Sequence, residues 1–468
     1  MMPKRFILAA LLPVALLACS DTPEEPGYGE TPALPEPQRG LFPNMEIANP
    51  AEWGDQVPQV PEGYSISAIA TDLKIPRQSL VLPNGDILIA EGSGGHAPKL
   101  TPKDVIASKI KSRGKSSVEG GDRLTLLRDR DGDGVYEGRA VFADGLDAPY
   151  GLAYANGRIY VANQGELVRF DYRDGQTRAE AAPISVTKLP EEINHHWTKA
   201  LTVGPDGRYL YVGIGSNSNV GERGLAVEAN RAMIWQIDAE SGMHRPFATG
   251  IRNPTALAFK PNSEELWAVV NERDELGDNL VPDYLTSVRE GAFYGWPYSY
   301  WGQNVDKRVR PQDPQKVAAA VKPDYGLGSH VAALGLDFSS AVMGRRFAEG
   351  AFVGEHGSWN RSKPVGYKVV FVPFSNGRPA GPPVDVVTGF RSEDGMTRGR
   401  PVGVTVDPRG GLIICDDLSN TVWRMVPDSG PERATRMQER GSAEADATSA
   451  PAPEAGAFGT APPGEPRR

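Results

Sequence analysis

One short theme recurs along the chain and constrains its fold more than any other feature. A turn made of Pro, Asn, Asp or Gly is followed each time by a short apolar run of the kind found in β-strands. Six copies of this theme lie at Leu82–Ala90, Ala155–Ala162, Gly204–Gly213, Lys260–Val270, Phe347–Gly354 and Asp407–Ile414. Helical periodicity is weak throughout. The sequence therefore predicts an all-β fold built from six similar sheets.

The spacing of the copies predicts a six-bladed β-propeller. Successive copies are roughly 50–85 residues apart, which exceeds the ~40–45 residues of a minimal four-stranded blade, so each blade has room for loops on one face. In a propeller the strands radiate from a central axis, and the loops of several blades converge on one mouth. We therefore expect residues that are distant in sequence to meet there.

The propeller is expected to span residues 46–427, between two extensions. Residues 20–45 and 428–468 are rich in Pro, Glu and Gly and poor in large apolar residues. Such segments cannot bury enough surface to order themselves. The sequence predicts a flexible tether before the propeller and a disordered tail after it.

Residues 1–19 have the pattern of an export signal. They open with positive charge and continue with an apolar run, Phe6–Ala18, that is too short to span a bilayer. The end of the run, Leu16–Cys19, resembles the lipobox of bacterial lipoproteins, and Ser20 favours the outer membrane in their sorting pattern. The resemblance implies a chain that is lipid-anchored through Cys19 on the periplasmic side. The alternative is an ordinary signal peptide with a chance cysteine.

Charge and cysteine content narrow the partners and the chemistry. The chain has 59 acidic and 50 basic residues, and its lysines and arginines form no cluster of the kind that binds nucleic acid. We expect no nucleic-acid partner. If Cys19 carries lipid, Cys415 is the other of two cysteines, so no disulfide within the chain is expected. Cys415 lies in an apolar run that is typical of a buried strand.

Two of the six histidines stand side by side just before the third copy of the theme. His195 and His196 lie between Asn194 and Trp197. An imidazole takes up a proton near neutral pH, and a loop at a strand edge can aim it into a cavity. This pair is a candidate for acid–base chemistry, although single histidines are more often surface or core residues.

A cation and an amide precede the fourth copy. In Arg252-Asn253-Pro254 the proline ends ladder pairing at the loop exit, so Arg252 and Asn253 are expected to face the mouth. A guanidinium offers a fixed fork of donors to a carboxylate or a developing oxyanion. The alternative is a structural salt bridge that caps the strand. Arg400, before the sixth copy, is another cation on an entry loop.

Two loops are rich in oxygen ligands for a hard cation such as Ca²⁺. The first, Asn271–Asn279, follows the strand of the fourth copy, and a solvated acidic loop is the alternative. The second contains Asp129, Asp131 and Asp133 and matches the first half of a calcium loop, but its twelfth position is Ala140. A peripheral structural Ca²⁺ and a metal-free hairpin turn both remain open there.

Two aromatic and glycine-rich segments, Gly291–Tyr298 and Gly354–Arg361, complete the set of motifs. Flat rings at a funnel mouth can stack on a sugar or a planar cofactor, although most aromatics in a propeller pack between blades. Over roughly residues 50–426, the motifs together resemble the glucose/sorbosone dehydrogenase family. These are propeller enzymes that use pyrroloquinoline quinone (PQQ) and Ca²⁺, and they include the related pyranose dehydrogenase propeller domain.

The resemblance implies roles for individual residues. His196, eight residues before Gly204, matches the general base of the family, and Arg252 matches the arginine that lies at the quinone. Residues implied to bind the cofactor and calcium are numerous. The implied cofactor set is Arg77, Asn253, His330, Arg361 and Arg400, and the implied calcium set is Asn271, Glu272, Arg273 and Asp278. Departures such as His195 and Thr255 in place of the family's Asp and Gln fit the sorbosone-type branch better.

The implied function is oxidation of an aldose or sugar aldehyde by hydride transfer to the quinone, with His196 as the base. Electrons would then pass to an acceptor in the periplasm or membrane. Two other classes stay open. A metal-dependent propeller lactonase needs carboxylate or amide ligands from several blades, and a non-catalytic carbohydrate- or protein-binding propeller does not depend on His196.

Overall fold

A computed structural model describes residues 27–38, 44–47, 49–94, 109, 112, 114 and 118–428. The predicted signal peptide with Cys19 and the tail beyond Asp428 lie outside these residues. The structural statements below apply to the described residues.

Nearly all regular secondary structure in the described residues consists of short strands. In chain order these are β1 (Tyr28–Gly29), β2 (Tyr64–Ala70), β3 (Pro76–Val81), β4 (Ile87–Glu91), β5 (Arg123–Arg128), β6 (Gly138–Ala143), β7 (Gly151–Ala155), β8 (Arg158–Ala162), β9 (Glu166–Asp171), β10 (Ile184–Lys188), β11 (Lys199–Val203), β12 (Tyr209–Ile214), β13 (Met233–Asp238), β14 (His244–Thr249), β15 (Pro254–Phe259), β16 (Leu266–Val270), β17 (Pro282–Val288), β18 (Ser299–Tyr300), β19 (Asn304–Val305), β20 (Tyr325–Ser329), β21 (Ala333–Phe338), β22 (Gly350–Glu355), β23 (Lys368–Ser375), β24 (Arg378–Pro379), β25 (Val384–Val387), β26 (Pro401–Asp407), β27 (Gly411–Asp416) and β28 (Thr421–Pro427).

Helices are few and short in the described part of the chain. They are the α-helix α1 (Pro314–Ala319) and three 3₁₀ turns, Leu225–Glu228, Ala341–Met343 and Arg345–Phe347. Asp313 caps α1 by accepting a hydrogen bond from the Lys316 amide at 3.1 Å. None of these helices has the length and apolar character needed to cross a lipid bilayer.

The strands form six antiparallel sheets that are arranged as the blades of a propeller. Blades one to three are β3–β6, β7–β10 and β11–β14, each in chain order. Blade four is β15, β16, β17 and β20, with the β18–β19 hairpin inserted, and blade five is β21, β22, β23 and β25, with the short β24 beside β23. Blade six is β26, β27, β28 and β2. The predicted six-bladed propeller is confirmed.

The first strand of each blade faces the central axis. Strands β3, β7, β11, β15, β21 and β26 each contact the corresponding strand of the next blade, so they form a closed ring. Each copy of the repeated theme supplies the turn after this inner strand and the second strand of its blade. The ring is closed by β2, which precedes blade one in sequence and pairs with β28 at the outer edge of blade six. This pairing ties the two ends of the propeller together.

Apolar side chains are buried between neighbouring blades. Six hydrophobic clusters are present, one at each junction, as between blades four and five, where Trp267 and Tyr325 are fully buried. Cys415, predicted to be in a buried strand, lies in β27 at the junction of blades six and one. Each blade has a neighbour on each of its two faces, so both faces are covered. The closed ring therefore needs no disulfide to complete its core.

The segment before the propeller differs from the prediction of a flexible tether over residues 20–45. Tyr28–Gly29 pairs with Gly326–Leu327 and adds a fifth strand to blade four. Leu34 packs against the cluster between blades three and four, and Pro32 is buried. This segment contains few apolar residues, but those few pack against the surface of the folded propeller. Composition alone cannot reveal such long-range packing.

Candidate functional site

A cavity of about 800 Å³ opens at one end of the propeller axis. Its walls come from all six blades, and most of the lining residues precede the first strand of a blade or follow its second strand. In an antiparallel pair these two positions lie at the same end of the sheet. One lining residue per blade illustrates this arrangement: Ile75, Tyr150, His196, Asn271, His356 and Asp417. The mouth thus brings Arg77 and Asp417 into contact although they are 340 residues apart in sequence.

His196 reaches the cavity on the loop before β11. Its Nδ1 lies 2.9 Å from the carbonyl oxygen of Ser216 and 3.0 Å from the Ser216 hydroxyl oxygen. That hydroxyl already donates to the carbonyl of Ser218 at 2.6 Å, so both oxygens accept from His196. Nδ1 therefore carries the hydrogen, and in the neutral ring the lone pair is on Nε2. The ring of His195 packs edge-on against that of His196, with centroids 4.7 Å apart.

A buried lysine supports this loop from below. Lys199 is fully buried, and its Nζ donates to the Asn194 side-chain oxygen at 3.1 Å and to the Trp197 carbonyl at 2.9 Å. Burial, followed by the nearby Arg231, holds the pKa of Lys199 well below its usual value. The two bonds fix the residues on either side of the histidine pair, and so they set where His196 points.

Opposite His196, two arginines and a histidine converge on one carboxylate. Asp417 lies 2.6 Å from Nη1 of Arg77, 3.2 Å from Nη2 of Arg400 and 3.1 Å from Nε2 of His356. Burial raises the pKa of Asp417, but Arg400, His356 and Arg77 outweigh burial and hold it well below its usual value. The carboxylate is therefore ionised. With two guanidinium groups against one carboxylate, this wall keeps an excess positive charge that favours an anionic ligand.

His356 is the neutral member of this group. Burial lowers its pKa more than Asp417 raises it, and Arg400 lowers it further. Both Asp417 oxygens lie 3.1 Å from Nε2, so Nε2 carries the hydrogen and donates. His356 thus orients the carboxylate and adds no charge to the wall at neutral pH.

Aromatic rings form the floor and sides of the cavity. The Arg77 guanidinium lies 5.1 Å over the ring of Trp197, whose other contact is the edge of Tyr150 at 5.5 Å. The hydroxyl of Tyr150 bonds across the axis to the Leu334 carbonyl at 3.1 Å and so closes the floor. Burial raises the pKa of Tyr150, so the hydroxyl stays protonated as a donor. Trp359 lines the opposite side.

Two amide oxygens on the blade-four wall have no hydrogen-bond partner among the residues that the structure describes. They are Oδ1 of Asn253 and Oδ1 of Asn271, and both side chains line the cavity. Asn253 is only 6% exposed. A buried amide oxygen without a partner costs about 1–3 kcal/mol, so its position indicates a ligand, water or ion in the cavity.

The structure places Arg252 differently from the prediction. Arg252 was expected to face the mouth, but it is buried behind the cavity wall and is not among the residues that line it. Its guanidinium donates to the Asn271 carbonyl at 3.2 Å, to the Glu272 carbonyl at 2.6 Å and to Asp274 at 3.1 Å. The loop after β16 folds over the Arg252 side chain, and Asp274 on this loop forms an ion pair with it. Arg252 therefore has the role of a structural salt bridge, which is the alternative given above.

Two predicted cofactor ligands also lie away from the cavity lining. His330 is buried against the Gly277 carbonyl at 3.0 Å and the carboxylate of Asp274 at 3.5 Å. Arg361 donates to the side-chain oxygen of Asn279 at 3.1 Å and to the carbonyl of Asp278. Both residues hold the 271–279 loop in place, and neither faces the mouth. Arg77, Asn253 and Arg400 do line the cavity as predicted.

The predicted calcium ligands after β16 are not brought together. Asn271 reaches the cavity, but the Glu272 carbonyl accepts from Arg252, and Arg273 is fully buried 2.9 Å from Asp306. Burial raises the pKa of Glu272 to about 7. Asp278 instead accepts from Asn44 at 2.8 Å. The oxygen-rich composition of this loop serves ion pairs and hydrogen bonds within the protein.

The second oxygen-rich loop does form a cluster. One oxygen from each of Asp129, Asp131, Asp133 and Glu137 lies within 4.8 Å of the others. Asp129 also accepts from Arg409 at 3.1 Å. The cluster lies at the end of β5 remote from the cavity, so it has no part in the axial site. A peripheral calcium site there stays a prediction.

Sequence reasoning missed Asp417, the carboxylate on which the cationic wall depends. It follows an apolar strand and looks like an ordinary turn residue. Its position within the repeated theme would have identified Asp417. Asn271, His356 and Asp417 each follow the last residue of the second strand in their blade, and all three line the cavity.

Fold and site together define the class: a six-bladed propeller with an axial cavity that has aromatic rings and a pair of arginines in its walls. The family model described as a domain of unknown function, DUF7133, matches residues 60–330, which is more than half of the chain. The chain belongs to this family. A second family model, described as TrAA12-like, matches residues 301–427.

A further relative and several solved structures are similar to this chain. A protein of Borreliella burgdorferi described as uncharacterized is 28% identical over 292 residues, which cover 60% of this chain and 76% of that protein. The holo form of the pyranose dehydrogenase PQQ domain from Coprinopsis cinerea is 20% identical, with a TM-score of 0.64, over 82% of this chain and 100% of that one.

Two further solved structures have the same fold. The calcium structure of the AA12 carbohydrate-active enzyme from Trichoderma reesei is 20% identical, with a TM-score of 0.63, over 82% of this chain and 99% of that one. The apo form of a soluble aldose sugar dehydrogenase from Escherichia coli is 16% identical, with a TM-score of 0.53, over 78% of this chain and 99% of that one. The resemblance to sugar dehydrogenase propellers is confirmed, and at these identities it establishes the fold.

Proposed function

We propose that this protein is a quinoprotein dehydrogenase that uses PQQ to oxidise an aldose or a sugar aldehyde. The observation that carries the proposal is the geometry of the axial cavity. A histidine with its lone pair on Nε2 lies on one side, and a wall with excess positive charge, formed by Arg77, Arg400 and Asp417, lies on the other. A base facing an anion-binding wall is what oxidation beside an anionic quinone requires.

The side chains at the cavity fit this cofactor. PQQ is a flat molecule that carries three carboxylates, so it needs cationic donors and aromatic or apolar walls. Arg77 and Arg400 supply the donors, Trp197 and Trp359 supply flat surfaces, and the volume of about 800 Å³ holds the quinone together with a small substrate. When bound, PQQ supplies a two-electron acceptor for hydride.

The residues of the chain divide the remaining work. His196 Nε2 takes the proton of the substrate hydroxyl, because Nδ1 is committed to Ser216. Arg77 and Arg400 hold the anionic ligand, and Asp417 fixes both guanidinium groups. Tyr150 closes the floor, so that the cavity exchanges with solvent at the mouth. General base catalysis of this kind contributes about 10²–10⁴-fold to the rate.

The calcium ligands predicted from the resemblance do not fit the structure, since Arg252 already binds the carbonyls of Asn271 and Glu272. The unpartnered oxygens of Asn253 and Asn271 are the ligand type that Ca²⁺ prefers, and they line the cavity. Asn253 and Asn271 would hold a calcium ion, which would supply positive charge to the cavity. Proton transfer by His196 is assigned without it.

The closest rival among the enzyme classes, a propeller lactonase, needs carboxylates that are available to a metal. Asp417, a carboxylate at the centre of one cavity wall, is engaged by two arginines and a histidine. A carboxylate engaged in this way is not available to a metal, so Asp417 cannot serve as a lactonase ligand. The geometry therefore favours the dehydrogenase.

The test is a titration of the metal- and cofactor-free protein with PQQ in the presence of Ca²⁺, followed by dye reduction with a panel of aldoses and sorbosone. Saturable binding and sugar-dependent dye reduction are expected. Arg400→Ala should weaken quinone binding about 10–100-fold, the value of one charge-assisted hydrogen bond. The matched control is Arg391→Ala, an exposed arginine on the same entry loop. Absence of binding to the parent protein contradicts the proposal.

We also propose that the chain is lipid-anchored through Cys19 on the periplasmic side of the outer membrane and passes electrons to an acceptor in that compartment. The support is the lipobox-like Leu16–Cys19. Labelling of cells with a radioactive fatty acid should mark the protein, and Cys19→Ala should abolish the label. Incorporation of the fatty acid into the Cys19→Ala variant would contradict this assignment.

A further inference from the structure

The chain that precedes the propeller crosses the mouth side of the molecule. We call residues 27–50 the strap, of which 27–38, 44–47 and 49–50 are described. It begins at the outer edge of blade four, where β1 pairs with β20, and it ends at blade six, where Pro50 bridges to Thr397. Its described residues 38, 44 and 46 lie against the loops of blades four and five that surround the cavity.

The propeller is shaped to receive the strap. Gly326 has an ordinary backbone conformation, yet a Cβ there would lie 2.6 Å from the carbonyl oxygen of Gly27. A Cβ at Gly328 would lie 2.8 Å from the ring of Tyr28. Real Cβ atoms do not make contacts this short, so side chains at either position would displace the strap. The strap is therefore a built part of the fold.

Hydrogen bonds fix the strap beside the mouth. Asn44 donates from its side chain to Asp278 at 2.8 Å and accepts at its carbonyl from Asn360 at 2.8 Å. Two residues later, the Glu46 amide donates to the Trp359 carbonyl at 3.1 Å. These bonds hold the next residue, Ile47, in the cavity wall, and Trp359 lines the same cavity.

Ile47 differs in chemistry from the charged residues of the same cavity. Arg77, Arg400 and Asp417 suit charged groups and hydroxyls. A pyranose has hydroxyls at its edge and an apolar C–H face, and that face packs on aliphatic and aromatic side chains. The mouth therefore has one polar wall and one apolar wall, and the apolar wall depends on the strap.

We propose that Ile47 is a specificity-determining residue that forms, with Trp359, the apolar wall against which the C–H face of the sugar packs. Because Ile47 occupies part of the cavity wall, the site should take a monosaccharide in preference to a longer chain. This inference rests on the proposed function, since it names the substrate class of the same site.

The experiment compares the parent protein with Ile47→Ala and Ile47→Trp, loaded with PQQ and supplied with a monosaccharide and its di- and trisaccharide. Ile47→Ala should raise KM for the monosaccharide about 5–20-fold, the value of one apolar contact. The loss should be smaller for the trisaccharide, while kcat and the affinity for PQQ change less than about twofold. Ile47→Trp should exclude the trisaccharide most strongly. The control is Val57→Ala, an exposed apolar residue on the next connection.

The outcomes separate this inference from the proposed function. If the parent oxidises sugars and Ile47→Ala leaves KM and the chain-length preference unchanged, the inference fails and the dehydrogenase stands. If the parent does not use PQQ, the function fails, and titration of the same sugars by tryptophan fluorescence decides the inference. Weaker monosaccharide binding by Ile47→Ala then supports it. Equal binding, or no binding by the parent, overturns it.

Discussion

At the scale of single residues, the site depends on which imidazole nitrogen carries the hydrogen. His196 donates from Nδ1 to Ser216, so its lone pair is on Nε2. His356 donates from Nε2 to Asp417, and burial keeps it neutral. The two histidines of one cavity therefore have different tasks. His196 is arranged to accept a proton, and His356 is arranged to hold a carboxylate.

Removal of the proposed base, His196, is expected to slow catalysis without weakening cofactor binding. His196→Gln keeps a side chain of similar size but cannot take a proton, so kcat should fall about 10²–10⁴-fold. The affinity for PQQ should stay within a few fold of the parent, because the cationic wall is untouched. Steady-state kinetics and absorbance titration check both values. His244→Gln on the exposed side of blade three is the control. A His196→Gln protein as active as the parent would refute the assignment of the base.

At the scale of elements, the loop before β11 owes its shape to a lysine inside the protein. Lys199 is the first residue of β11, and it bonds back to Asn194 and Trp197 at the base of the same loop. Arg231 adds a bond from its Nη2 to Asn194 at 3.3 Å. Lys199 thus links β11 to the loop before it, so the position of His196 is fixed relative to this strand.

Loss of this support is expected to move His196 without removing it. Lys199→Met should lower kcat about 10²-fold, the usual cost of misplacing a reacting group by about 1 Å. It should also change the ¹⁵N chemical shifts of the His196 ring, which report its hydrogen bond to Ser216. Lys188→Met on the exposed edge strand β10 should change neither. Unchanged ring shifts in Lys199→Met would show that the lysine does not position the base.

Strand β22 ends in a carboxyl group that is expected to make stability depend on pH. Glu355 is fully buried, neither side-chain oxygen has a hydrogen-bond partner, and burial raises its pKa to about 8. The folded protein therefore holds this proton more tightly than the unfolded chain does. The stability from this group is complete below about pH 4.5 and is lost as the pH rises towards 8, by an amount on the order of 2–4 kcal/mol.

Glu355→Gln should reduce this dependence. The variant cannot ionise, so its free energy of unfolding should fall less between pH 5 and pH 8 than that of the parent, although Glu272 and Asp283 titrate in the same direction. Urea unfolding at a series of pH values measures the difference. Glu349→Gln, at an exposed position before the same strand, should follow the parent. A parent-like slope in Glu355→Gln would contradict the raised pKa.

At the scale of the whole molecule, six repeats of one local pattern carry the fold. Each turn and second strand is specified by neighbouring residues, so their number and spacing predict the propeller directly. The strap was not predictable in this way. Its seat consists of glycines on β20 and a loop of blade five, and these meet residues 27–47 only after the ring has closed.

The site was predictable where a residue's place in the repeat decides its direction. His196, Asn253 and Arg400 precede first strands, Arg77 is the second residue of one, and all four line the cavity. The prediction did not extend to Arg252, which is next to Asn253 but points the opposite way, into the loop after β16. Adjacent residues at a strand end face opposite sides, so a shift of one position moves a side chain from the cavity to the interior.

The proposed function requires His196 and the two arginines of the cationic wall to face one another across a quinone-binding cavity. A crystal structure of the protein soaked with PQQ and Ca²⁺ would show this arrangement. The quinone should lie on the propeller axis, with carboxylates bonded to Arg77 and Arg400 and its edge open towards His196. Quinone bound elsewhere, or a cavity that stays empty at saturating PQQ, would contradict it.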